Sequence, residues 1–140
     1  MSKIFWDTNL FIYLIEDYGE LSGRVKALRR RMLAREDQLY TSALTLGEVL
    51  VKPIESGHDS LRQKYEKALL SAAVVIPFDR ETAPHYAAIR ADKTIRPPDA
   101  IQLACAAQAR VDLFITNDDR LSQKAIRGIQ FVTSLDRAFL

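Results

Sequence analysis

The sequence predicts an α/β protein: three layers, α/β/α, around a central parallel sheet of about five strands. Two observations carry that expectation. Five short β-rich runs alternate with amphipathic helical stretches, the pattern that makes right-handed crossovers and a sheet covered on both faces. No internal repeat, low-complexity tract or long linker interrupts the 140 residues, so residues 1–140 are expected to form one domain.

In chain order, the first run is 3–6, compact and apolar, ending at Asp7. Leu21, Val25, Leu28 and Met32 then recur at i, i+4, i+7 and i+11, one stripe of an amphipathic helix. The second strand is expected at 39–42, followed by a helix that carries Glu48. Leu61, Tyr65, Ala68 and Leu69 place another helix over about 59–72, and 74–77 reads as the third strand. Residues 82–93 read as a helix with Tyr86, Ile89 and Arg90 on one side, stopped by the 94–98 breaker. Pro98 fits the first turn of a further helix through Ala109. Strands at 113–116 and 130–133 complete the sheet, and 134–140 is left as a short helix or a loose tail.

Composition narrows the function classes. At 48% hydrophobic and 27% charged residues the chain can bury a core and is not of the disordered kind. The single Cys105 forms no internal disulfide and sits in the apolar run 103–107, so a buried structural thiol is expected. An acid at position 7 comes too soon for a signal peptide, and no apolar run approaches the roughly 18 residues of a membrane span. A soluble cytoplasmic protein without membrane contact is the expectation. His58, His85 and Cys105 make no spaced ligand set for zinc, and both histidines read as surface residues. The net charge of +2 is small, but Arg24, Lys26, Arg29, Arg30, Arg31 and Arg35 fall within twelve residues. Arg24, Arg29, Arg30 and Arg31 are therefore candidate RNA-binding residues, weighed evenly against a solvated helix face.

In open α/β sheets ligands bind outside the carboxyl ends of the strands. Asp7 closes the first strand, Asp118 follows the fourth, Asp99 opens the helix after the double proline, and Glu48 lies about two turns into its helix. Each of Asp7, Asp99 and Asp118 has an ordinary explanation as a helix cap or first-turn acid. Glu48 resists that reading, because Leu44 and Val51 at i−4 and i+3 put it on the apolar face. Four gathered carboxylates repel one another unless a cation neutralises them, and an all-oxygen set suits Mg²⁺, with Mn²⁺ a possible substitute. Such a site would hydrolyse a phosphodiester.

Other chemistries fit less well. A receiver-type phosphoacceptor domain wants an acid pair at the first strand and a late lysine near it. Here only Asp7 stands there, and Lys124 reads as part of a helix. A haloacid-dehalogenase phosphatase wants an aspartate two residues after the first, where Asn9 stands.

The same residues carry a family resemblance. The blocks Phe5-Trp6-Asp7-Thr8-Asn9, Thr41 to Leu50 around Glu48, Pro98-Asp99-Ala100-Ile101-Gln102-Leu103-Ala104 and Phe114-Ile115-Thr116-Asn117-Asp118 resemble, in order, the four blocks of PIN-domain nucleases. They span residues 5–118, and the size resembles the VapC-type toxins of toxin–antitoxin pairs. The resemblance implies a PIN-like fold and a Mg²⁺-dependent endoribonuclease with Asp7, Glu48, Asp99 and Asp118 as its catalytic, metal-holding acids. It implies supporting roles for Thr116 and Asn9, a cognate antitoxin that covers the site, and a homodimer. Gln102 stands where many relatives carry His, and Asp119 is a neighbour able to support or share the role of Asp118. The alternative is a catalytically weak or inactive PIN-like module that binds RNA or a protein partner.

Overall fold

The computed structural model describes residues 1–138. Its five strands are β1 (Lys3–Trp6), β2 (Gln38–Ser42), β3 (Val74–Ile76), β4 (Leu113–Thr116) and β5 (Phe131–Ser134). All pair in parallel, in the order β3-β2-β1-β4-β5. Each lies within a residue or so of its expected run.

Side chains alternate across the two central strands, as a pleated strand requires. Phe5 and Phe114 face one side, where their rings stack at 5.0 Å and 10° beneath α6 (Ala83–Ile89) and α7 (Pro97–Gln108). Ile4, Trp6, Leu113 and Ile115 face the other, covered by α1 (Thr8–Ile15) and α2 (Glu20–Ala34). Because β1 and β4 bury both faces, they read as continuous apolar runs rather than alternating ones. This is the three-layer α/β/α architecture, completed by α3 (Ala43–Val49), α4 (Val51–Glu55) and α5 (Asp59–Ala72).

The expected stripe on α2 holds: Val25, Leu28 and Met32 are fully buried. Helix α6 is shorter than the sequence suggests. After Ile89 the chain turns, because Arg90 Nη1 donates to the Ile95 carbonyl at 2.6 Å and Asp92 accepts from Thr94 N at 3.0 Å. Those local bonds compete with helix continuation. Helix α7 starts at Pro97, one residue earlier than expected, where a missing N–H costs nothing. Lys124 lies in a run of turns, not a helix, and its ammonium binds Asp92 at 2.9 Å and Thr94 at 3.0 Å. The chain end forms a short 3₁₀ turn over Leu135–Arg137, and the rest of that expectation, 139–140, lies outside the described residues. Among the described residues no helix is long and apolar enough to cross a membrane.

The topology itself selects a ligand edge. The chain builds β1, β2 and β3 outward on one side, then crosses to the far side of β1 to lay down β4 and β5. The strand order therefore switches between β1 and β4, and the crevice at their carboxyl ends is where such sheets take ligands.

Candidate active site at the carboxyl edge of the sheet

Asp7 stands immediately after β1 and Thr116 ends β4, so the two meet across the switch point. The Thr116 hydroxyl donates to Asp7 Oδ2 and accepts from the Asp118 backbone N–H at 3.0 Å. One hydroxyl thereby orders both acids. Asp7 is the N-cap residue of α1, yet its side chain makes no capping bond. Its Oδ1 is buried without a hydrogen-bond partner. The acid is therefore not explained as a cap.

Glu48, Asp99 and Asp7 line one cleft of about 370 Å³, with Asn9, Gln102, Lys52 and Tyr65 among its other walls. Helix α7 leads back to the amino end of β4, which puts its first turn, and Asp99, at the carboxyl edge. Glu48 corrects an expectation. It is exposed, not on the buried face, because α3 is short and packs inward through Thr45 and Val49. It stands at the lip of the cleft, where its Oε1 accepts from the Thr8 hydroxyl at 2.6 Å.

Behind that bond lies a polar network. Gln102, 4% exposed, donates one amide hydrogen to Thr8 Oγ1 at 3.0 Å and the other to Thr45 Oγ1 at 2.8 Å. Its carbonyl oxygen accepts from Ser42 Oγ at 2.5 Å, and Ser42 in turn accepts from Thr45 N at 3.3 Å. Every amide hydrogen of Gln102 is used, as a buried polar network demands. Sequence reading gave Gln102 weight only as a departure from relatives and missed Thr8, Thr45 and Ser42. Their signal was present in hindsight, as a polar cluster at a strand exit. Replacing Gln102 with Leu is expected to cost about 2–3 kcal/mol in urea melts by orphaning buried hydroxyls. It is also expected to free the Thr8 hydroxyl, and with it Glu48, from a fixed position.

Electrostatics distinguish the acids. Burial pushes the Asp7 carboxyl up to about 7, helped by the charge of Asp99 and opposed by the Thr116 hydroxyl. Burial also raises Asp99, reinforced by Asp118 and Glu48 and offset by Arg96 and Arg120. Asp118 is instead held below the usual carboxylate range by its hydrogen bonds from Arg120. These mutual influences bring all four acids into one field, although Asp118 does not line the cleft. Among the described residues no three His, Cys, Asp or Glu side chains form a ready-made metal cage. The donor set nonetheless fits a hard cation. It is all oxygen, and the orphaned Asp7 Oδ1 is a buried acceptor awaiting a positive partner.

The remaining candidates fall elsewhere. Asp119 is exposed beyond Asp118. Arg24, Arg29, Arg30 and Arg31 do not line the cleft. Arg24 pairs with Asp136 in the 3₁₀ turn, and Arg29 is partly buried with Nη1 unpartnered. Arg30 and Arg31 are exposed on α2. Lys52 is the cation that does reach the cleft, 3.4 Å from Glu16. A wider groove of about 990 Å³ lies at the opposite edge of the sheet, but its one acid, Asp92, is already held by Lys124. His58 is exposed and caps α5, and Cys105 is buried with its thiol pushed up to about 11.

An open parallel sheet with an acid-lined crevice at its topological switch defines a class: α/β domains built to receive a cationic or phosphate-bearing ligand at that edge. Within that class, the family model "PIN domain" matches residues 4–127. The chain belongs to the PIN domain family, and nuclease activity is the general activity of that family. Solved structures agree on the fold. VapBC from Salmonella typhimurium bound to DNA matches at TM-score 0.72 and 22% identity, over 96% of this chain and 99% of that one. A toxin–antitoxin complex from Klebsiella pneumoniae matches at TM-score 0.64 and 26% identity, over 90% and 94%. VapBC2 from Rickettsia felis, bound to a fragment of its promoter, matches at TM-score 0.70 and 17% identity, over 94% and 98%. No curated protein matches the chain.

Proposed function

We propose that the chain is a divalent-metal-dependent endoribonuclease, the toxin of a toxin–antitoxin pair, acting in the cytoplasm as a homodimer restrained by a cognate antitoxin. The observation that carries the reading is Asp7: a buried carboxyl with an unpartnered oxygen, at the switch point, in a cleft shared with Glu48 and Asp99. A buried acid without a partner is costly, and such cost is concentrated where function needs it. The antitoxin and toxin roles draw on the likeness to toxin–antitoxin complexes.

In this reading Asp7, Glu48, Asp99 and Asp118 hold Mg²⁺, or Mn²⁺ in its place. The chemistry a bound ion supplies is that of a Lewis acid, which polarises a phosphate oxygen and makes a water acidic enough to attack at neutral pH. The chain's own residues do the arranging. Thr116 fixes Asp7 and the turn of Asp118, and Thr8, locked by Gln102, fixes Glu48. Asn9, which lines the cleft with Asp7, is assigned a supporting role in ordering the site. Asp119 is assigned a supporting role next to Asp118.

The test pairs stability with cleavage. Millimolar Mg²⁺ or Mn²⁺ is expected to raise the melting temperature by several degrees over EDTA, since a ligand held at 100 times its Kd adds about 2.7 kcal/mol. The same ions are expected to switch on fragmentation of total RNA while DNA of matched sequence stays whole. Indifference of both melting and RNA to the metals would instead favour a PIN-like module that binds without cutting.

A further inference from the structure

Of the four acids, Asp118 alone carries its own tightly bound cation. Arg120, two residues on, sets Nε 2.9 Å from Oδ1 and Nη2 2.6 Å from Oδ2, while its backbone N–H donates to Oδ1 at 3.0 Å. This is a two-pronged pair, the strong form of guanidinium–carboxylate contact. Neither partner is sealed inside: the Arg120 side chain is 58% exposed and that of Asp118 23%. Arg96 leans on the same side, with Nε 3.9 Å from Asp99. At Asp7, on the opposite side of the cleft, no such cation stands among the described residues and an oxygen is left bare. The molecule therefore clamps Asp118 with a cation of its own and leaves the deep acid, Asp7, with a bare oxygen.

Arg120 takes three of the roughly four acceptor sites of the Asp118 carboxylate, so a cation in the cleft competes with the guanidinium for it. The planar fork of a released guanidinium matches a phosphate as well as a carboxylate. We propose that Arg120 is an exchange residue: it holds Asp118 while the cleft lacks a cation, yields that carboxylate when a divalent ion binds, and then grips a non-bridging oxygen of the RNA phosphodiester. This rests on the metal-nuclease reading above. It makes Arg120 a competitor of the metal and an ally of the substrate, two effects of opposite sign from one side chain.

Arg120→Gln and Arg120→Lys test it, each first melted in EDTA to confirm folding. Calorimetric titration with Mn²⁺ alone is expected to show Arg120→Gln binding the ion roughly three- to fivefold more tightly than the unaltered chain, the worth of an accessible ion pair. With saturating Mn²⁺ and a single-stranded RNA oligonucleotide, its KM is expected to rise about tenfold, with a smaller change in kcat. Arg120→Lys, which keeps charge without the fork, is expected to fall between. Unchanged or weaker Mn²⁺ binding, or an unchanged KM, overturns the exchange. If the unaltered chain binds Mn²⁺ and cuts RNA while the variants behave like it, the exchange alone fails. If the unaltered chain takes up no Mn²⁺ at all, the metal-site reading falls and the exchange with it.

Discussion

Replacing Asp7 with Asn is expected to abolish RNA cleavage and, in the same molecule, to raise its stability. Loss of activity on the order of a thousandfold or more follows if Asp7 helps hold the catalytic ion, because an amide oxygen carries no charge to bind it. The gain in stability follows from burial. Moving a carboxyl from 3.8 to about 7 penalises its charged form by an amount on the order of 4 kcal/mol, of which an isosteric amide should recover about 1–3 kcal/mol at pH 8. The direction with pH is fixed by the same shift. Between about pH 4 and 7 the folded metal-free protein holds a proton on Asp7 that the unfolded chain has released, so stability rises as pH falls through that window. Above pH 7 the penalty is complete. Asp118, held low by Arg120, contributes the opposite trend only near and below the ordinary carboxylate range. Melting of both proteins in EDTA at pH 5.5 and pH 8 checks this. The gap between Asn variant and parent should be wide at pH 8 and narrow at pH 5.5, and full cleavage by the variant in saturating Mg²⁺ would remove Asp7 from the site.

Phe114→Ala is expected to cost about 3–5 kcal/mol, a large share of the roughly 5–15 kcal/mol by which a domain of this size is stable. Phe114 is fully buried and its ring lies flat against Phe5 of the neighbouring strand. These two strands also deliver Asp7 and Thr116 to the switch point, so the core pair and the site share one scaffold. Urea denaturation gives the loss directly. A cost below about 1 kcal/mol would mean that the cavity collapses and that the ring pair is not what holds β1 to β4.

The strands were legible because each is a short apolar run between breakers, and parallel strands buried on both faces leave that mark whatever their neighbours. Helix α5 was legible to the residue, since its periodicity and its polar start coincide. Helix α6 was not, because its end is decided by Arg90 and Asp92 bonding to residues of the following turn. Glu48 shows the same limit in the site. Its neighbours in sequence made it a face residue, but the short helix that carries it packs through Thr45 and Val49 and leaves it at the lip. The basic cluster on α2 was visible as composition, while its distance from the cleft was not.

Alone, the sequence determined the alternation of strands and helices, and hence a parallel sheet with acids at its strand exits. Those are local matters of period, breaker and position, written in neighbouring residues. The tertiary structure decided which acid is buried, which is exposed and which is clamped: Asp7 bare, Glu48 tethered through Thr8 to Gln102, Asp118 in the grip of Arg120. Burial and hydrogen bonding join residues 109 positions apart, as Thr116 and Asp7 are, and it is the surroundings of a carboxylate, not its place in the chain, that set its charge.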